Sequence, residues 1–249
     1  MSGGTGPETT GRSPCPAAGM RTDELDRLGE AHRTVLRSLY VGRPQLGADG
    51  RPHPIDDTTR ISIADGMALF SSAVESHVTA SLEVGLAYGF STVYLLAALE
   101  TNGGGTHTAI DPYQTAEWHG IGARHAAELT SRPSAPAAVP FELIEDRSAR
   151  ALVDLERAGR RFGLVFIDGY HRFDDVLIDF TLSARLLEEG GLVVFHDVWL
   201  DGIKAAASFV RCDRGDFTEV AVPCDDLCVF RRTGDDTRDW RHFVAFPMR

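Results

Sequence analysis

The sequence predicts an α/β fold in which a seven-stranded, mostly parallel sheet has helices on both faces and an antiparallel hairpin at its C-terminal end. From residue 79 onward, five short and nearly uninterrupted apolar runs alternate with segments of helical periodicity. This is the pattern of parallel strands buried between two helical layers. Two further apolar runs then follow, separated only by residues 223–226, and that spacing is typical of a hairpin.

Each element is delimited by its apolar periodicity and by the glycine, proline or asparagine residues at its ends. The predicted strands are 81–84, 106–110, 141–144, 162–167, 192–195, 217–222 and 227–231. The predicted helices between them are 91–100, 115–129, 149–158, 173–187 and 201–211, with Gly190 and Gly191 closing the fourth.

Two segments precede this repeating part. Residues 1–22 are rich in Gly, Pro, Ser and Thr, which predicts a disordered tail. Residues 23–78 are predicted to form a helical N-terminal cap on a sheet domain that occupies residues 79–249. The predicted parts of the cap are a helix over 23–40, a Pro- and Gly-rich loop over 42–60 and a helix over 64–76.

Composition excludes several classes of protein. The 249 residues carry 25 Lys+Arg against 36 Asp+Glu, a formal charge of −11, so neither a nucleic acid nor an anionic membrane surface is an expected partner. No apolar run approaches the roughly 20 residues of a membrane span, and residues 1–20 lack the apolar core of a secretory signal. We therefore expect a cytoplasmic protein. Its four cysteines, Cys15, Cys212, Cys224 and Cys228, lack metal-site spacing and are expected to be reduced thiols.

The turn from the first repeating strand to its helix is the first candidate site. Glycine there lets the backbone turn sharply and approach a ligand closely, at the sheet edge where α/β proteins bind ligands. A dinucleotide fingerprint is not matched, because alanine stands where its second glycine belongs. An S-adenosylmethionine (SAM) site needs a loop under the methionine and an acidic residue at the strand end, and a turn that only serves packing is the alternative. The candidate contacts are Glu83, Gly85, Ala87, Tyr88, Gly89, Ser91 and Thr92.

Two further strand ends are predicted to hold the nucleoside. Asp111 ends the second repeating strand, followed by Pro112 and Tyr113, and a carboxylate there can accept hydrogen bonds from ribose hydroxyls. After the third strand come Asp146, Arg147 and Ser148. Asp146 is expected to bind the adenine amino group, with the two following residues at the ring edge; the alternative is that Asp146 or Ser148 only caps the next helix.

The ends of the fourth and fifth strands carry a dense polar cluster. Asp168 and His171 follow one strand, and His196 and Asp197 follow the next. Buried or half-buried carboxylates and imidazoles are unfavourable unless they are paired or bind a ligand. Their concentration at one sheet edge therefore indicates a site rather than four independent caps.

The fold and these motifs resemble class I SAM-dependent methyltransferases with a Rossmann-like sheet. Within that superfamily the motif Asp168-Gly-x-His171-x-Phe173 resembles the branch of macrocin-type and macrolide-sugar O-methyltransferases and of cephalosporin hydroxylase-like proteins. The resemblance implies SAM as cofactor and a small hydroxylated acceptor, such as a sugar or a natural-product scaffold. It also implies a divalent cation on Asp168 and Asp197, for which His196 is a further candidate ligand, with His171 as the base. Asp168 is in addition a candidate catalytic residue and a candidate cofactor contact.

Other interpretations stay open. His196 stands where that branch usually has an acidic residue, and imidazole favours Mn, Fe, Zn or Ni over Mg, so the identity and presence of a cation are undecided. His171, His196 and one aspartate also have the composition of an iron and 2-oxoglutarate oxygenase site. A NAD(P)-binding oxidoreductase and a non-catalytic SAM binder are further alternatives. The acceptor pocket is expected to involve the N-terminal helix, His53, residues 113–119 and Trp199, and a homo-oligomer in which that helix crosses a partner's pocket is left open.

Overall fold

A computed structural model describes residues 22–247. The predicted tail lies outside this range up to residue 21, as does Cys15. The strands are β1 (Gln45–Leu46), β2 (Pro52–His53), β3 (Ala80–Val84), β4 (Thr106–Ile110), β5 (Phe141–Ile144), β6 (Phe162–Ile167), β7 (Leu187–Phe195), β8 (Phe217–Val220) and β9 (Cys228–Arg232). The α-helices are α1 (Glu30–Tyr40), α2 (Ile63–Glu75), α3 (Phe90–Thr101), α4 (Ile121–Thr130), α5 (Ser148–Arg157), α6 (Phe173–Ser183) and α7 (Asp201–Asp213).

The main sheet has seven strands in the order β5-β4-β3-β6-β7-β9-β8. Strands β3 to β7 pair in parallel, whereas β9 runs antiparallel to both β7 and β8. The C-terminal strands thus form the predicted antiparallel pair, and β9 lies between β7 and β8. The predicted fold class is confirmed.

The register of the parallel strands places the candidate residues at the same level along the strand direction. Val84 pairs with Ile110 and with Ile167, and Ile167 pairs with Phe195. The residues that follow these four strands, which include Asp111 and Asp168, therefore emerge side by side at the carboxyl edge. Because chain order reverses on either side of β3, this edge is a topological switch point, where open α/β sheets bind ligands.

Two apolar clusters cover the faces of the sheet. One cluster joins α1, α2, α3 and α4 to side chains such as Phe166 and Val194. The other joins α5, α6 and α7 to neighbours on the opposite side, such as Ile167 and Phe195. Successive strand residues thus serve different layers, as the period of two in a strand requires. Helices therefore pack against both faces of the strands that carry the candidate site residues.

The segment before β3 belongs to the first of these layers. Helix α2 packs along α3, and α1 contacts both α3 and α4. The Tyr40 hydroxyl lies 3.0 Å from the Tyr94 hydroxyl and donates a hydrogen bond to the Ile61 carbonyl. The division into a cap and a sheet domain stays a prediction. Among the described residues, no helix combines the length and the apolar character that crossing a bilayer requires.

Several predicted element bounds are wrong. The helix predicted over 173–187 ends at Ser183, and the loop predicted over 42–60 contains the paired strands β1 and β2 and a 3-10 helix (Asp57–Thr59). The helix predicted over 23–40 is split into a 3-10 helix (Thr22–Arg27) and α1, because Gly29 has an extended backbone and begins α1. Strand β7 begins at Leu187 rather than after the glycine pair. The strand contains those glycines as an irregularity, with Gly190 at φ +77° and a register shift against β6, as at a β-bulge.

Helix α4 begins six residues later than predicted. Residues 113–120 instead form turns, in which the Gly120 amide donates to the Gln114 carbonyl at 2.7 Å. His119 and Gly120 both have positive φ, which stops helix propagation. The side chain of Gln114 is fully buried, and its amide donates to the Ala87 carbonyl at 2.9 Å while its oxygen accepts from the Ala123 amide. These two hydrogen bonds of Gln114 stabilise the turns, so the helix begins only at Ile121.

His32 of α1 is expected to make the fold sensitive to acid. It is 1% exposed, and burial, aided by the positive charge of Arg132, lowers its pKa to about 4. An unfolded histidine titrates near 6.5, so the unfolded chain binds this proton first as the pH falls. Stability linked to His32 is therefore lost between about pH 6.5 and about pH 4, on the order of 2 kcal/mol by pH 5.

Urea unfolding at neutral pH and near pH 5 measures this loss. The variant His32→Gln should lose less stability between the two conditions than the unmodified chain, whereas His77→Gln, at an exposed position, should lose as much. An identical pH dependence in all three proteins would show that His32 does not carry the effect.

Candidate active site

Two cavities open at the carboxyl edge of the sheet. The first has a volume of about 520 Å³ and the second about 350 Å³, sizes within the range of small-molecule sites. Both are lined by Gly85, Ala87, Trp118, Asp168 and Gly169. The cavities therefore meet at the ends of β3 and β6.

The first cavity gathers residues from four predicted segments. The predicted cofactor contacts in its lining are Gly85, Ala87, Asp111, Pro112, Tyr113, Arg147, Ser148 and Asp168. Their backbones come from the turns after β3, β4, β5 and β6, so one cavity adjoins the ends of four neighbouring strands. The sequence placed these residues together correctly, while their roles toward a ligand stay predictions.

Gly85 must be glycine for the two cavities to meet. It has φ +93°, and a Cβ built on it would lie 2.2 Å from the Asp168 carbonyl oxygen. The left-handed backbone and the close approach both exclude a side chain. Gly89 has a related role, because its missing Cβ leaves room for Gly122 of α4 at 3.0 Å. The sequence did not single out Gly122.

Asp111 holds the glycine turn while it lines the cavity. Its Oδ2 accepts hydrogen bonds from the Leu86 and Ala87 amides at 3.1 and 2.9 Å, and its Oδ1 accepts from the Tyr113 amide at 2.9 Å. Ala87 itself has φ +45°, an uncommon conformation for a residue with a Cβ. Asp111 and Gln114 thus fix the shape of this turn from two sides.

Glu83 lies outside both cavity linings. It is fully buried, and its carboxylate accepts hydrogen bonds from the Ser91 and Thr92 hydroxyls and lies 3.4 Å from Nε2 of His107. The Glu83 carboxylate therefore links β3 to the first turn of α3 through hydrogen bonds. Of the same turn, Tyr88 and Ser91 line the second cavity, and Gly89 and Thr92 line neither.

Asp146 also lies outside the lining, although its neighbours Arg147 and Ser148 are part of it. Its carboxylate is bound to the Arg147 amide and to the Arg150 guanidinium at 3.2 Å. The alternative interpretation of Asp146 or Ser148 as a helix cap is wrong, because Arg147 is the capping residue of α5 and no side-chain capping hydrogen bond forms there, while the contact of Asp146 with adenine stays a prediction. Asp179 of α6 is an acidic side chain in the lining that the sequence did not single out, because it lies mid-helix.

The second cavity contains the predicted catalytic group. His171, His196 and Asp197 line it together with Asp168, and residues 58–61 form another wall. Of the residues expected around an acceptor, Trp118 is in the lining, whereas His53 and Trp199 are not. His53 stacks on His119 at 3.9 Å, and Trp199 donates to Asp197 at 2.9 Å.

Two carboxylates and two imidazoles form a compact charged cluster there. His196 Nδ1 donates to Asp168 Oδ1 at 3.0 Å. His171 Nε2 lies 3.5 Å from the same oxygen and 3.2 Å from Asp197 Oδ2. Asp197 has φ +55°, and such strained residues concentrate at functional sites. The four predicted residues are brought together by the structure.

The charges of this cluster stabilise one another. Burial alone would raise the pKa of Asp168, but His196 and His171 lower it to about 2. Burial alone would lower the pKa of His196, but Asp168 and then Asp197 raise it to about 9. The hydrogen bond to Asp168 raises the pKa of His171. Each imidazole is therefore a stronger base here than in water.

A cation would find suitable ligands in this cluster. Asp168, His171 and Asp197 offer ligand atoms within 4.8 Å of one another, and a second such group consists of Asp65, His196 and Asp226. Mixed carboxylate and imidazole donors suit Mn, Fe or Zn better than Mg. The predicted set of Asp168, His196 and Asp197 is also compact, since His196 Nδ1 lies 3.6 Å from Asp197.

Comparison with known families decides the class of this fold. Residues 82–198 match a family described as a methyltransferase domain. This part of the chain is therefore similar to a methyltransferase domain. It runs from β3 to just beyond β7 and includes the glycine turn, Asp111 and the charged cluster. The predicted resemblance to class I SAM-dependent methyltransferases is confirmed by this match and by the shared fold.

Solved structures share the fold of the methyltransferase domain and its surroundings. The O-methyltransferase TomG from Streptomyces achromogenes, involved in tomaymycin synthesis and solved with SAM, is 20% identical, with TM-score 0.60 and coverage of 83% of this chain and 91% of that one. An O-methyltransferase from Bacillus cereus, solved with S-adenosylhomocysteine (SAH), is 16% identical, with TM-score 0.59 and coverage of 86% and 94%. A Podospora anserina methyltransferase with SAH is 14% identical, with TM-score 0.60 and coverage of 90% and 100%.

Two curated relatives carry a different activity in their names. Both are called tRNA dimethylallyltransferase, from Mycolicibacterium paratuberculosis and Mycobacterium avium, and are 28% and 27% identical over 205 residues. These matches cover 74% of this chain but only 62% and 64% of the relatives. The chain therefore spans less than two thirds of the length of the curated proteins that it matches.

Proposed function

We propose that this methyltransferase transfers the methyl group of SAM to a hydroxyl group of a small molecule, such as a sugar or a natural-product scaffold. One observation carries the proposal: the two cavities meet at Gly85 and Asp168, and the other three members of the charged cluster, His171, His196 and Asp197, line only the second. A methyl donor in the first cavity would thus face an acceptor that lies beside His171. Structures of the same fold were solved with SAM or SAH, which supports this donor.

The first cavity suits SAM in its shape and donor–acceptor chemistry. The missing Cβ of Gly85 lets the Asp168 backbone approach the glycine turn where both line the cavity, and the carboxylate of Asp111 lies in the lining at the end of β4. A buried oxygen of Asp179 has no hydrogen-bond partner among the described residues. When bound, SAM supplies an activated methyl group. What the protein must add is orientation, which can contribute about 7–11 kcal/mol to the barrier reduction, and a deprotonated acceptor.

His171 is proposed to remove the acceptor proton. Its side chain is 40% exposed in the cavity, so an incoming hydroxyl can reach it. Asp168 and Asp197 both approach its Nε2, and their negative charges stabilise the imidazolium that forms when the proton arrives. General-base catalysis of this kind contributes about 10²–10⁴-fold.

A divalent cation is proposed to be held by Asp168 and Asp197, with His196 as the adjoining nitrogen donor. A bound cation lowers the pKa of a hydroxyl that coordinates it. In the cluster as described, the two imidazoles already balance the two carboxylates, so cation binding would displace protons from His196 and His171. The affinity for a cation is therefore expected to rise with pH.

A small acceptor is favoured over a tRNA. The chain carries a formal charge of −11, whereas binding to a phosphate backbone depends on clustered cationic side chains. The second cavity, at about 350 Å³, is of small-molecule size. Prenyl transfer to tRNA, the activity in the names of the curated relatives, is the competing outcome.

The deciding experiment supplies the purified chain with SAM carrying a labelled methyl group and a panel of glycosides and hydroxylated aromatic scaffolds. Parallel reactions contain Mg²⁺, Mn²⁺ or a chelator, and mass spectrometry detects the label. Transfer to a hydroxyl is the expected result, and a chelator-insensitive rate would remove the cation from the proposal. Calorimetry with SAH provides a separate measure of binding. Prenyl transfer from dimethylallyl diphosphate to tRNA, without any methyl transfer, would overturn the proposed function.

A further inference from the structure

Asp179 is a buried acid on the wall of the first cavity. It lies on α6, is 2% exposed and lines the cavity together with Ser148 and Gly169. Its Oδ1 has no hydrogen-bond partner in the part of the chain that the structure describes. A buried polar atom without a hydrogen-bond partner is unfavourable. The simplest remedy is a ligand that donates a hydrogen bond to it.

The neighbours of Asp179 indicate which part of the first cavity it lines. Its hydrogen-bonding neighbour is Ser148, the first residue of α5, and α5 packs beside α6. A Cβ built on Gly169 would lie 3.8 Å from its Oδ2. Asp179 thus lies between Gly169, in the segment after β6, and Ser148, in the segment after β5 that is predicted to border the adenine ring.

Asp179 is also isolated from the groups that neutralise the other acids of this site. Burial raises its pKa to about 6, against the effect of the Ser148 hydrogen bond, and the nearby charge of Asp175 adds to the increase. Asp175 itself is paired with Arg172 at 2.7 Å. Asp111, by contrast, accepts three backbone hydrogen bonds. Asp179 therefore retains the acceptor capacity that Asp111 has largely used.

Adenosine has few donors to offer such an acceptor. They are the two ribose hydroxyls and the 6-amino group of the base. A ribose hydroxyl is expected at the acceptor site that Asp111 retains, and Ser148 belongs to the segment that is predicted to border the adenine ring. The 6-amino group is therefore the donor expected at Asp179. We propose that Asp179 recognises the adenine base of SAM by accepting a hydrogen bond from its 6-amino group and so determines the specificity for adenine. This inference rests on the proposed use of SAM.

The test compares two ligands by calorimetry, without turnover. SAH carries the 6-amino group, and S-inosylhomocysteine carries a carbonyl oxygen in its place. The unmodified chain should bind SAH about 10- to 100-fold more tightly, because an acceptor replaces a donor opposite a buried acid. Asp179→Asn should lose or reverse this preference, since its amide can donate to the carbonyl. Asp179→Ala should bind both ligands with similar, weakened affinity.

A matched control separates recognition from folding. Asp175→Asn changes another acid in the lining, one helical turn away, and should keep the preference for SAH. Equal loss of both ligands in Asp179→Asn would indicate a structural role and overturn the inference, as would an unchanged preference. If the unmodified chain binds SAH without discriminating between the bases, only this inference fails. If it binds neither ligand, the proposed function fails with it.

Discussion

Replacing His171 with alanine is expected to lower kcat by about 10²–10⁴-fold, the contribution typical of a general base. The affinity for SAH should remain unchanged, because His171 lines only the second cavity. The effect should therefore appear in the turnover with a saturating acceptor. Mass-spectrometric assays of methyl transfer and calorimetry with SAH measure the two quantities separately.

The pH dependence provides a second readout of the same variant. The hydrogen bond to Asp168, followed by the charges of Asp168 and Asp197, raises the pKa of His171. A base must be deprotonated to act, so kcat should fall as the pH falls through a value above the ordinary 6.5. In His171→Ala this acidic decline should disappear, and added imidazole should restore part of the turnover.

His242→Ala serves as the control, because His242 lies exposed in the C-terminal segment beside Asp213. It should retain full activity and the same pH profile. Unchanged turnover in His171→Ala at saturating substrates would remove His171 from the chemistry. Reduced turnover with the acidic decline intact, and without rescue by imidazole, would assign His171 a positioning role instead.

Gly85→Ala is expected to abolish detectable SAH binding and to destabilise the fold. Its Cβ would lie 2.2 Å from the Asp168 carbonyl oxygen, a backbone atom that cannot rotate away. The left-handed backbone at φ +93° adds strain of about 1–3 kcal/mol, and overpacking adds about 1–3 kcal/mol more. Urea unfolding and calorimetry with SAH measure the two effects.

Gly103→Ala is a closely matched control. Gly103 has φ +95°, nearly that of Gly85, but a Cβ there would meet nothing within 4 Å. This variant should show the backbone strain alone and should keep its affinity for SAH. The difference between the two variants isolates the contact of Gly85 with Asp168. Equal stability and equal binding would show that this close approach does not shape the site.

Features that repeat along the chain were predictable from the sequence. The strands of the parallel sheet have apolar runs buried on both faces, and their ends place Gly85, Asp111, Asp168 and His196 at one edge by register alone. The charged cluster follows from the same rule, because adjacent parallel strands end side by side. Local pattern and topology suffice for such features.

Side-chain partners across the fold were not predictable in this way. Glu83 was expected to face a ligand, but the hydroxyls of Ser91 and Thr92 bind its carboxylate inside the core. In the sequence Gln114 is an ordinary polar residue just before a predicted helix, yet the hydrogen bonds of its buried amide determine where α4 begins. Such choices depend on which polar groups meet in three dimensions, and periodicity carries no information about that.

The two cavities differ in where their walls come from along the chain. The first cavity is lined by the turns at the carboxyl edge of the sheet. The second cavity is lined in addition by residues 58–61, which precede α2. Ile61 at the end of this segment is anchored through its carbonyl to Tyr40. Exchanging residues 58–60 among relatives would thus reshape the second cavity and leave the first intact. Under the proposed function, one methyl donor could then serve a diverging range of acceptors.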